Sequence, residues 1–319
     1  MKTKLPFISL LLALFLLSGC FRASRECLEP KINFAFQERY LRQLPQPFSP
    51  LTFEERKEDW GREYLIGMRF AKELDLYQAM TAFRRAEILA PDNVESRKLE
   101  MEYAVLLSYY FGKRYEEVAN AFATSKLSNV NDSFPAFHDL LIILYDTYQQ
   151  LGDEAKAYQI LQLIQYYYPA DYEKLTISSA MVSASLAQLR TIASESSEAP
   201  YLNQLLCNYD SGKKSVGKAQ LFNALLPGGG YLYLGQKQTA LTAFLVNSLF
   251  IAATVTFFQK GEIAAGIITA SFEAGWYFGG IYGAAQEAKF YNERLYERNA
   301  TPMMNQCRLF PALMLNYGF

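Results

Sequence analysis

The sequence has very few of the residues that carry enzyme chemistry. It contains a single histidine, His138, and no serine, cysteine or carboxylate stands in a spacing that would complete a catalytic triad or a metal site with it. The four cysteines include no C-x-x-C pair, so neither zinc binding nor thiol–disulfide exchange is indicated. The sequence therefore predicts a protein that is not an enzyme and that holds no metal.

An excess of charge of either sign is also lacking. Lys and Arg total 31 against 32 Asp and Glu, whereas a nucleic-acid-binding surface needs a strongly basic face. Aromatic residues, in contrast, are plentiful, with 23 Tyr and 23 Phe. Their rings must be buried, stacked in grooves or placed at a membrane interface. We therefore expect no nucleic-acid partner in a chain whose 319 residues are enough for two domains.

The glycine-rich stretch LPGGGYLYLGQKQ (226–238) lacks the pattern of a phosphate-binding loop. A dinucleotide-binding loop that starts at Gly228 would need a third glycine where Tyr233 stands. The nearby Gly212–Lys213 pair also fails the Walker pattern, because Cys207 occupies the first glycine position and Lys214 the final Ser/Thr position. No cofactor is therefore expected.

The chain begins with the features of an export signal. Lys2 and Lys4 precede an apolar run, 5–17, that is too short for an ordinary membrane span. The run ends in LSGC (17–20), which resembles a bacterial lipobox. That resemblance implies cleavage before Cys20 and acylation of its thiol and new amine, and hence attachment to membrane lipid. The alternative is an uncleaved anchor with Cys20 as a bystander. Phe21 follows the cysteine, which favours the periplasmic face of the outer membrane over the inner membrane.

The middle of the chain repeats with a period of 39 residues. Residues 77–93 carry small, aromatic and proline positions that resemble the second helix of a tetratricopeptide repeat and its terminating proline: Ala79, Phe83, Ala86 and Pro91. Phe122 and Leu161 occupy the place of Phe83 in the next two copies, although Ser125 and Val130 depart from the pattern in the second. The alternative is an unrelated helical array of similar period. His138 is expected to help open the third repeat.

The resemblance to tetratricopeptide repeats implies a groove lined by the first helix of each pair. The matching positions, aromatic and apolar with acids at one end, are Tyr64, Met68, Lys72, Tyr103, Leu107, Tyr110, Asp139, Ile142, Asp146 and Gln149. Such a groove suits an extended peptide or a helix of a protein partner. The alternative is that another part of the same chain covers it, since aromatic stripes often belong to a core.

Two long apolar segments follow the glycines. Residues 239–258 have no charge and residues 263–285 have one, so each is long enough to cross a hydrocarbon core of about 30 Å as a helix. The sequence predicts a helical hairpin that turns at QKGE (259–262) and inserts in a membrane; the alternative is a hairpin buried in protein. The preceding pattern PGxGxxYxG resembles a motif of uncharacterised bacterial membrane proteins, through Pro227, Gly228, Gly230, Tyr233 and Gly235.

Within this hairpin, Asn247 and Glu273 are expected at the same depth. A carboxyl in lipid is costly, so we expect the two side chains to hydrogen-bond as a structural pair; a proton or ion path through Glu273 is the alternative. Gly275, Gly279 and Gly283 form two Gly-xxx-Gly steps, which predict close helix contact and self-association. Basic residues on both flanks favour a cytoplasmic location for each flank, in conflict with export.

Three further features complete the expectations. Cys207 and Cys307 flank the hairpin, so they would form a disulfide or remain free with Cys27. Alternating apolar residues at 313–319 suit a final strand, to which no role is assigned. The expected architecture is all-α, divided into a signal peptide (1–19), a lipidated tether (20–58), a tetratricopeptide-like domain (59–206), a membrane hairpin domain (207–295) and a tail (296–319).

Together these features predict a non-enzymatic envelope lipoprotein. In this hypothesis the repeats form a scaffold for an unidentified protein partner, by analogy with the repeat-containing lipoproteins of outer-membrane assembly machines. In the alternative hypothesis, hairpins from several copies assemble around Glu273 as part of a transporter or channel.

Overall fold

A computed structural model describes residues 28–32, 38–195 and 200–319. Within these ranges the only regular secondary structure is helical, which confirms the predicted all-α fold. The signal peptide, Cys20 and Cys27 lie outside the described residues. The chain divides into two compact units. Among the described residues, we call 38–180 and 302–319 the paired-helix unit, and 28–32, 181–195 and 200–301 the long-helix unit.

The paired-helix unit contains three successive pairs of helices. A short helix, α1 Glu38–Leu41, precedes them, and the six paired helices are α2 Asp59–Lys72, α3 Leu76–Leu89, α4 Glu95–Phe111, α5 Tyr115–Thr124, α6 Phe137–Gln150 and α7 Glu154–Tyr167. A 3₁₀ turn, Lys126–Asn129, precedes α6. Contacts join α2 to α3, α4 to α5 and α6 to α7, and α8 (Pro169–Val182) leads out of the unit. Short connections of this kind make neighbouring helices antiparallel.

The turn inside each pair has the same backbone form. Leu74, Lys113 and Gly152 all have positive φ, of 62°, 55° and 72°, and they follow one another at the 39-residue spacing of the sequence pattern. Asp75 and Asp153 then cap the next helix by accepting the backbone N–H three residues on. The backbone therefore turns in the same way three times.

Close packing within the first pair depends on a missing side chain. A Cβ on Gly67 would lie 2.7 Å from the ring of Phe83, which is completely buried. Phe83 packs in one apolar cluster with Trp60, Tyr64 and Met101. A second cluster, around α4 and α6, contains Leu106, Leu107, Ile142 and Ile143. These clusters form the core of the paired-helix unit.

The segment 38–58, assigned to a tether by its prolines, is packed against this core. Leu41 and Leu51 are buried, and the ring of Phe48 lies 5.9 Å from that of Tyr103. Arg97 of α4 donates to the main-chain oxygens of Ser49 and Pro50, at 2.7 and 3.3 Å. The prolines thus shape an ordered strap along the helices.

The long-helix unit contains α9 (Leu186–Glu195), α10 (Pro200–Gly212), α11 (Val216–Leu225), α12 (Gly229–Tyr233), α13 (Lys237–Gln259) and most of α14 (Ile263–Gln306). The short α15 (Pro311–Met314) belongs to the paired-helix unit. Of the helices described, α13 alone is long and apolar enough to cross a membrane, and no part of α14 meets the same measure. The apolar run that begins α14 continues without a break into a polar segment, so α14 extends well past the predicted end at residue 285.

The three consecutive glycines bring helices together. Gly228 has φ 88°, and a Cβ there would collide with the main-chain oxygen of Ala240. A Cβ on Gly230 would collide with the main chain of α11 and lie 2.7 Å from Ala284. The buried Asn223 accepts the N–H groups of Gly228 and Gly230 at 3.0 and 3.3 Å. The glycines therefore form a packing point between α11, α12, α13 and α14.

Candidate functional site

The groove predicted in the repeats is filled by the C-terminal segment, 312–319. Ala312, Met314 and Leu315 are buried in the same apolar cluster as Tyr103 and Tyr110. After α15 the backbone runs without helix from residue 315 to residue 319. Of the two occupants considered for this groove, a partner and the chain itself, the structure contains the chain itself. The tail forms a short helix and an extended segment here, and the predicted strand is wrong.

Asp139 of α6 binds the main chain of this segment. Its carboxylate, which is fully buried, accepts the N–H of Asn316 at 3.1 and 3.0 Å and the N–H of Tyr317 at 2.8 Å. An ionised carboxylate that accepts several N–H groups makes strong, charge-assisted hydrogen bonds. Because the donors are main-chain groups, this contact does not depend on the identity of the tail side chains.

His138 supplies the positive charge beside Asp139. Its Nδ1 lies 2.7 Å from Asp139 Oδ1, and its Nε2 lies 3.1 Å from Asp171 Oδ2 of α8. Burial alone would lower the pKa of His138, but the hydrogen bonds to the two carboxylates raise it to about 9. The contact with His138 also lowers the pKa of Asp171. At neutral pH an imidazolium therefore joins α6 to α8 between two carboxylates.

Rings and the strap hold the rest of the segment. Phe319 stacks on Phe83 with ring centroids 6.2 Å apart and meets Phe111 edge-on at 5.8 Å. On the strap side, Tyr40 Oη donates to the main-chain oxygen of Leu313 at 3.1 Å, and Gly318 N donates to Pro45 O at 2.9 Å. The segment thus lies between the helices and the strap.

The other predicted groove residues separate into three groups. Tyr103, Leu107, Tyr110 and Ile142 are buried in the core. Asp146 is half-buried and accepts the hydroxyl of Tyr110 at 2.6 Å, and burial raises the pKa of Asp146. Gln149 is exposed. The central positions of the predicted groove therefore serve packing as well as contact with the tail.

The remaining three predicted positions line an open cleft. Tyr64, Met68 and Lys72 of α2 border a cleft of about 520 Å³ that the tail does not fill. Tyr64 donates its hydroxyl to Glu100, and its ring lies 5.7 Å from that of Phe83. Phe83 thus contacts both Tyr64, which borders the cleft, and Phe319 of the tail.

Sequence reasoning missed the charged group to which Glu100, at the border of this cleft, belongs. Arg97 binds Glu55 at 2.9 Å and Glu100 at 2.8 Å. The hydrogen bond from Arg97 lowers the pKa of Glu55 to about 2, whereas burial raises the pKa of Glu100. Nothing in the local sequence pairs Arg97 with residues more than forty positions away. The prolines of the strap were the one feature of the sequence that could have predicted an ordered conformation for this segment.

The expected pair between Asn247 and Glu273 is not formed. Asn247 Nδ2 donates to Ala243 O of its own helix at 2.6 Å. Asn247 Oδ1 and both carboxyl oxygens of Glu273 are buried and have no hydrogen-bond partner among the described residues. Equal depth along the two helices therefore does not bring the two side chains together. The direction in which each side chain points also depends on the rotation of its helix about the helix axis.

The glycines of the Gly-xxx-Gly steps do not share one role in the structure. Gly275 and Gly279 have open space where a Cβ would stand, whereas a Cβ on Gly283 would collide with the hydroxyl of Tyr231. Two of the three positions are therefore free for contact outside this chain. Cys207 and Cys307 are free thiols in the structure, which is one of the two alternatives that the sequence left open. Within the described ranges no group of three His, Cys, Asp or Glu residues could hold a metal ion.

Comparisons with protein-family models, with curated proteins and with solved structures give no match to this chain. Function therefore has to be argued from the groove and from the exposed surface of α13 and α14.

Proposed function

We propose that this protein is a non-enzymatic lipoprotein of the bacterial envelope, in which the paired-helix unit is a scaffold for protein–protein interaction. Its groove takes an extended polypeptide segment, and residues 312–319 occupy it until a segment of a partner replaces them. The observation that supports this most is the carboxylate of Asp139, which holds two consecutive main-chain N–H groups of an extended segment. Contacts to the main chain allow segments of different sequence to bind.

The open cleft beside Tyr64 supports exchange of the segment. A partner segment longer than the tail would continue past the position of Phe319 into this cleft, and Met68 and Lys72 would then contact it. The turns that recur at Leu74, Lys113 and Gly152 support a tetratricopeptide-like array, in which such a groove follows the first helix of each pair.

The test uses the tail in trans. A labelled peptide with the sequence of residues 312–319 should bind a chain that lacks those residues and should not bind the full-length chain. In the truncated chain, Asp139→Asn should weaken binding at least tenfold, because it replaces a charged acceptor of two N–H groups. Asp132→Asn, an exposed carboxylate that no described residue bonds, is the matched control. Equal binding by the Asp139→Asn and control proteins would refute the proposal. Substitutions at Tyr103, Leu107 or Tyr110 would test folding, since these side chains are core.

Membrane attachment is the second part of the proposal. Large apolar side chains are exposed along one side of α13 and along the first half of α14, among them Leu241, Leu249, Ile267, Phe272 and Trp276. Such surfaces favour a hairpin in lipid, with Cys20 as the acyl anchor and the periplasmic face of the outer membrane as the location. Carbonate extraction of Cys20→Ser tests both anchors. A variant that remains in the membrane fraction is held by the hairpin, and release of both it and the wild type would contradict insertion.

A transport or channel component is the second candidate. It is favoured by the unpartnered carboxyl of Glu273 and by the open faces of Gly275 and Gly279, through which copies could associate. Glu273→Gln should abolish transport in this case and, in the chain that lacks residues 312–319, leave the binding of the tail peptide unchanged. Chemical crosslinking in membranes provides the independent readout, because Gly275→Leu should remove crosslinked oligomers if the glycine face joins the copies.

A further inference from the structure

A pocket of about 410 Å³ in the long-helix unit is lined by cations. One carboxylate, Asp210, borders it together with five basic side chains: Arg190, Lys213, Lys214, Lys218 and Lys289. Its volume lies in the range of small-molecule sites. The proposed function uses neither this pocket nor its charge.

Asp210 neutralises only part of this charge. Its carboxylate lies 3.0 Å from Arg190 and 2.9 Å from Lys213. These two contacts lower the pKa of Asp210, so the carboxylate is ionised at neutral pH. The single negative charge of Asp210 is thus shared between Arg190 and Lys213. It does not neutralise the other three lysines of the pocket.

The three remaining lysines differ in their partners. Lys289 forms ion pairs with Glu29 at 3.5 Å and with Glu293 at 3.9 Å, so its charge is partly offset. Lys214 lies over the ring of Tyr233, 5.0 Å from its centroid. Neither Lys214 nor Lys218 has a carboxylate partner among the described residues. The pocket therefore retains a positive charge that an anion would neutralise.

Hydrogen bonds hold the main chain at Lys214 and Lys218. Asn292 accepts the N–H of Lys214 at 2.7 Å and donates to its main-chain oxygen at 2.8 Å. Tyr233 accepts the N–H of Ser215 at 3.2 Å, and Ser215 caps α11 through the N–H of Lys218. The N-terminus of α11 thus lies at the pocket and adds its dipole to the positive field. The arrangement is built before any ligand arrives, which lowers the entropy cost of binding.

The position of the pocket along the chain indicates what it meets. Tyr233 stands four residues before α13 begins, and Lys289 stands four residues after the apolar run of α14 ends at Ala285. If the two helices insert in a membrane, as proposed above, the pocket lies at the level of the phospholipid headgroups. Clustered lysines and arginine at this level are suited to phosphate oxygens.

We propose that this pocket binds the phosphate of an anionic ligand between Lys214, Lys218 and Lys289. Two sources share this chemistry, an anionic phospholipid headgroup and a soluble phosphate ester. The first follows from the position beside α13, and the second would make the pocket a small-molecule site.

The experiment measures binding to the full-length chain in non-ionic detergent. Short-chain phosphatidylglycerol, short-chain phosphatidylcholine and glycerol 3-phosphate are titrated separately and followed by calorimetry. We expect Lys214→Gln with Lys218→Gln to weaken binding about 30-fold, at roughly fivefold for each lysine near an anionic group. The control pair, Lys260→Gln with Arg298→Gln, removes the same charge outside the pocket and should leave Kd unchanged. Arginine at 214 and 218 should restore binding, which separates charge from folding.

Each outcome of this experiment decides the proposal or the source. Tight binding of phosphatidylglycerol, with weak binding of the other two ligands, assigns the pocket to a headgroup. Binding of glycerol 3-phosphate that is as tight assigns it to a soluble ester. No saturable binding of any ligand, or equal binding by the wild type and the Lys214→Gln/Lys218→Gln protein, overturns the proposal. Membrane insertion is measured separately by carbonate extraction, so a failure of insertion is not mistaken for a failure of the pocket.

Discussion

Raising the pH from 6.5 to 9.5 removes the proton that His138 holds between Asp139 and Asp171, and the paired-helix unit should lose stability. The pKa of this histidine rises from 6.5 to about 9 on folding. A group whose pKa is raised by folding contributes all of its stability below the unfolded pKa and loses it as the pH passes the folded pKa. The loss should therefore begin above pH 6.5 and be complete just above pH 9.

The size of the effect follows from the shift. At about 1.4 kcal/mol per pKa unit the shift corresponds to roughly 3 kcal/mol, and partial exposure of the imidazole reduces this to about 2 kcal/mol. Unfolding in urea can be followed through Trp60, which is buried in the paired-helix unit, in a chain that carries Trp276→Phe. The free energy of unfolding then refers to one unit, for which a single transition is expected.

His138→Gln is the control for this titration, since its side chain bonds but does not titrate in this window. The free energy of unfolding of this variant should stay level between pH 6.5 and 9 while that of the wild type falls. A wild-type protein whose stability does not change across this range would refute the assignment of an imidazolium to the groove. An equal fall in both proteins would assign the loss to another group.

Four further substitutions test the packing, three through the free energy of unfolding and the fourth through proteolysis. Gly152→Ala should lower the free energy of unfolding by about 1 kcal/mol, because a φ of 72° is unfavourable for alanine although nothing lies within 4 Å of its Cβ. Lys113→Gly should raise the free energy of unfolding by about the same amount at the equivalent turn. Tyr103→Phe should raise the free energy of unfolding by about 1 kcal/mol, since the Tyr103 hydroxyl is buried and has no hydrogen-bond partner among the described residues. Gly230→Ala should cost more than 2 kcal/mol in the long-helix unit, measured as increased proteolysis of α11–α13, because its Cβ would meet main-chain and side-chain atoms at once; unchanged proteolysis would contradict the packing point.

The helices could be predicted from the sequence because the signals that define them are local. The predicted apolar segment 239–258 is α13, Lys237–Gln259, and the predicted start of the next helix at residue 263 is correct. Length, charge-free composition and the turn at 259–262 act over a few residues, so a single sequence contains them. The same holds for the 39-residue period, which the positive-φ residues Leu74, Lys113 and Gly152 follow.

The occupant of the groove could not be predicted from the sequence, since its main contact joins residues 177 positions apart. The alternating apolar residues at 313–319 indicate an extended segment, but such a pattern does not say what it pairs with. Two alternatives for the groove therefore stayed open until the fold was known. The repeat frame assigned Asp139 to the groove, and the partners of its carboxylate could only be found in three dimensions.

Asn247 and Glu273 illustrate a different limit. Counting residues from the turn gives the height of a side chain along its helix, at 1.5 Å per residue, but its direction changes by about 100° with each residue. A pairing prediction needs both quantities. The height was estimated from sequence, and the direction depends on how α13 and α14 pack against α11 and α12, where the glycines 228–230 and Asn223 decide the contact.

The buried carboxylate of Asp139 explains why the groove needs an occupant. Three hydrogen bonds from the tail and one contact with His138 compensate its charge, and its side chain is fully buried. Removal of the tail would expose apolar surface and leave His138 as the remaining partner of the charge, which is a costly state for a buried ion. The groove is therefore least stable when empty, so a partner segment is expected to exchange with the tail directly, through an intermediate in which both contact the helices.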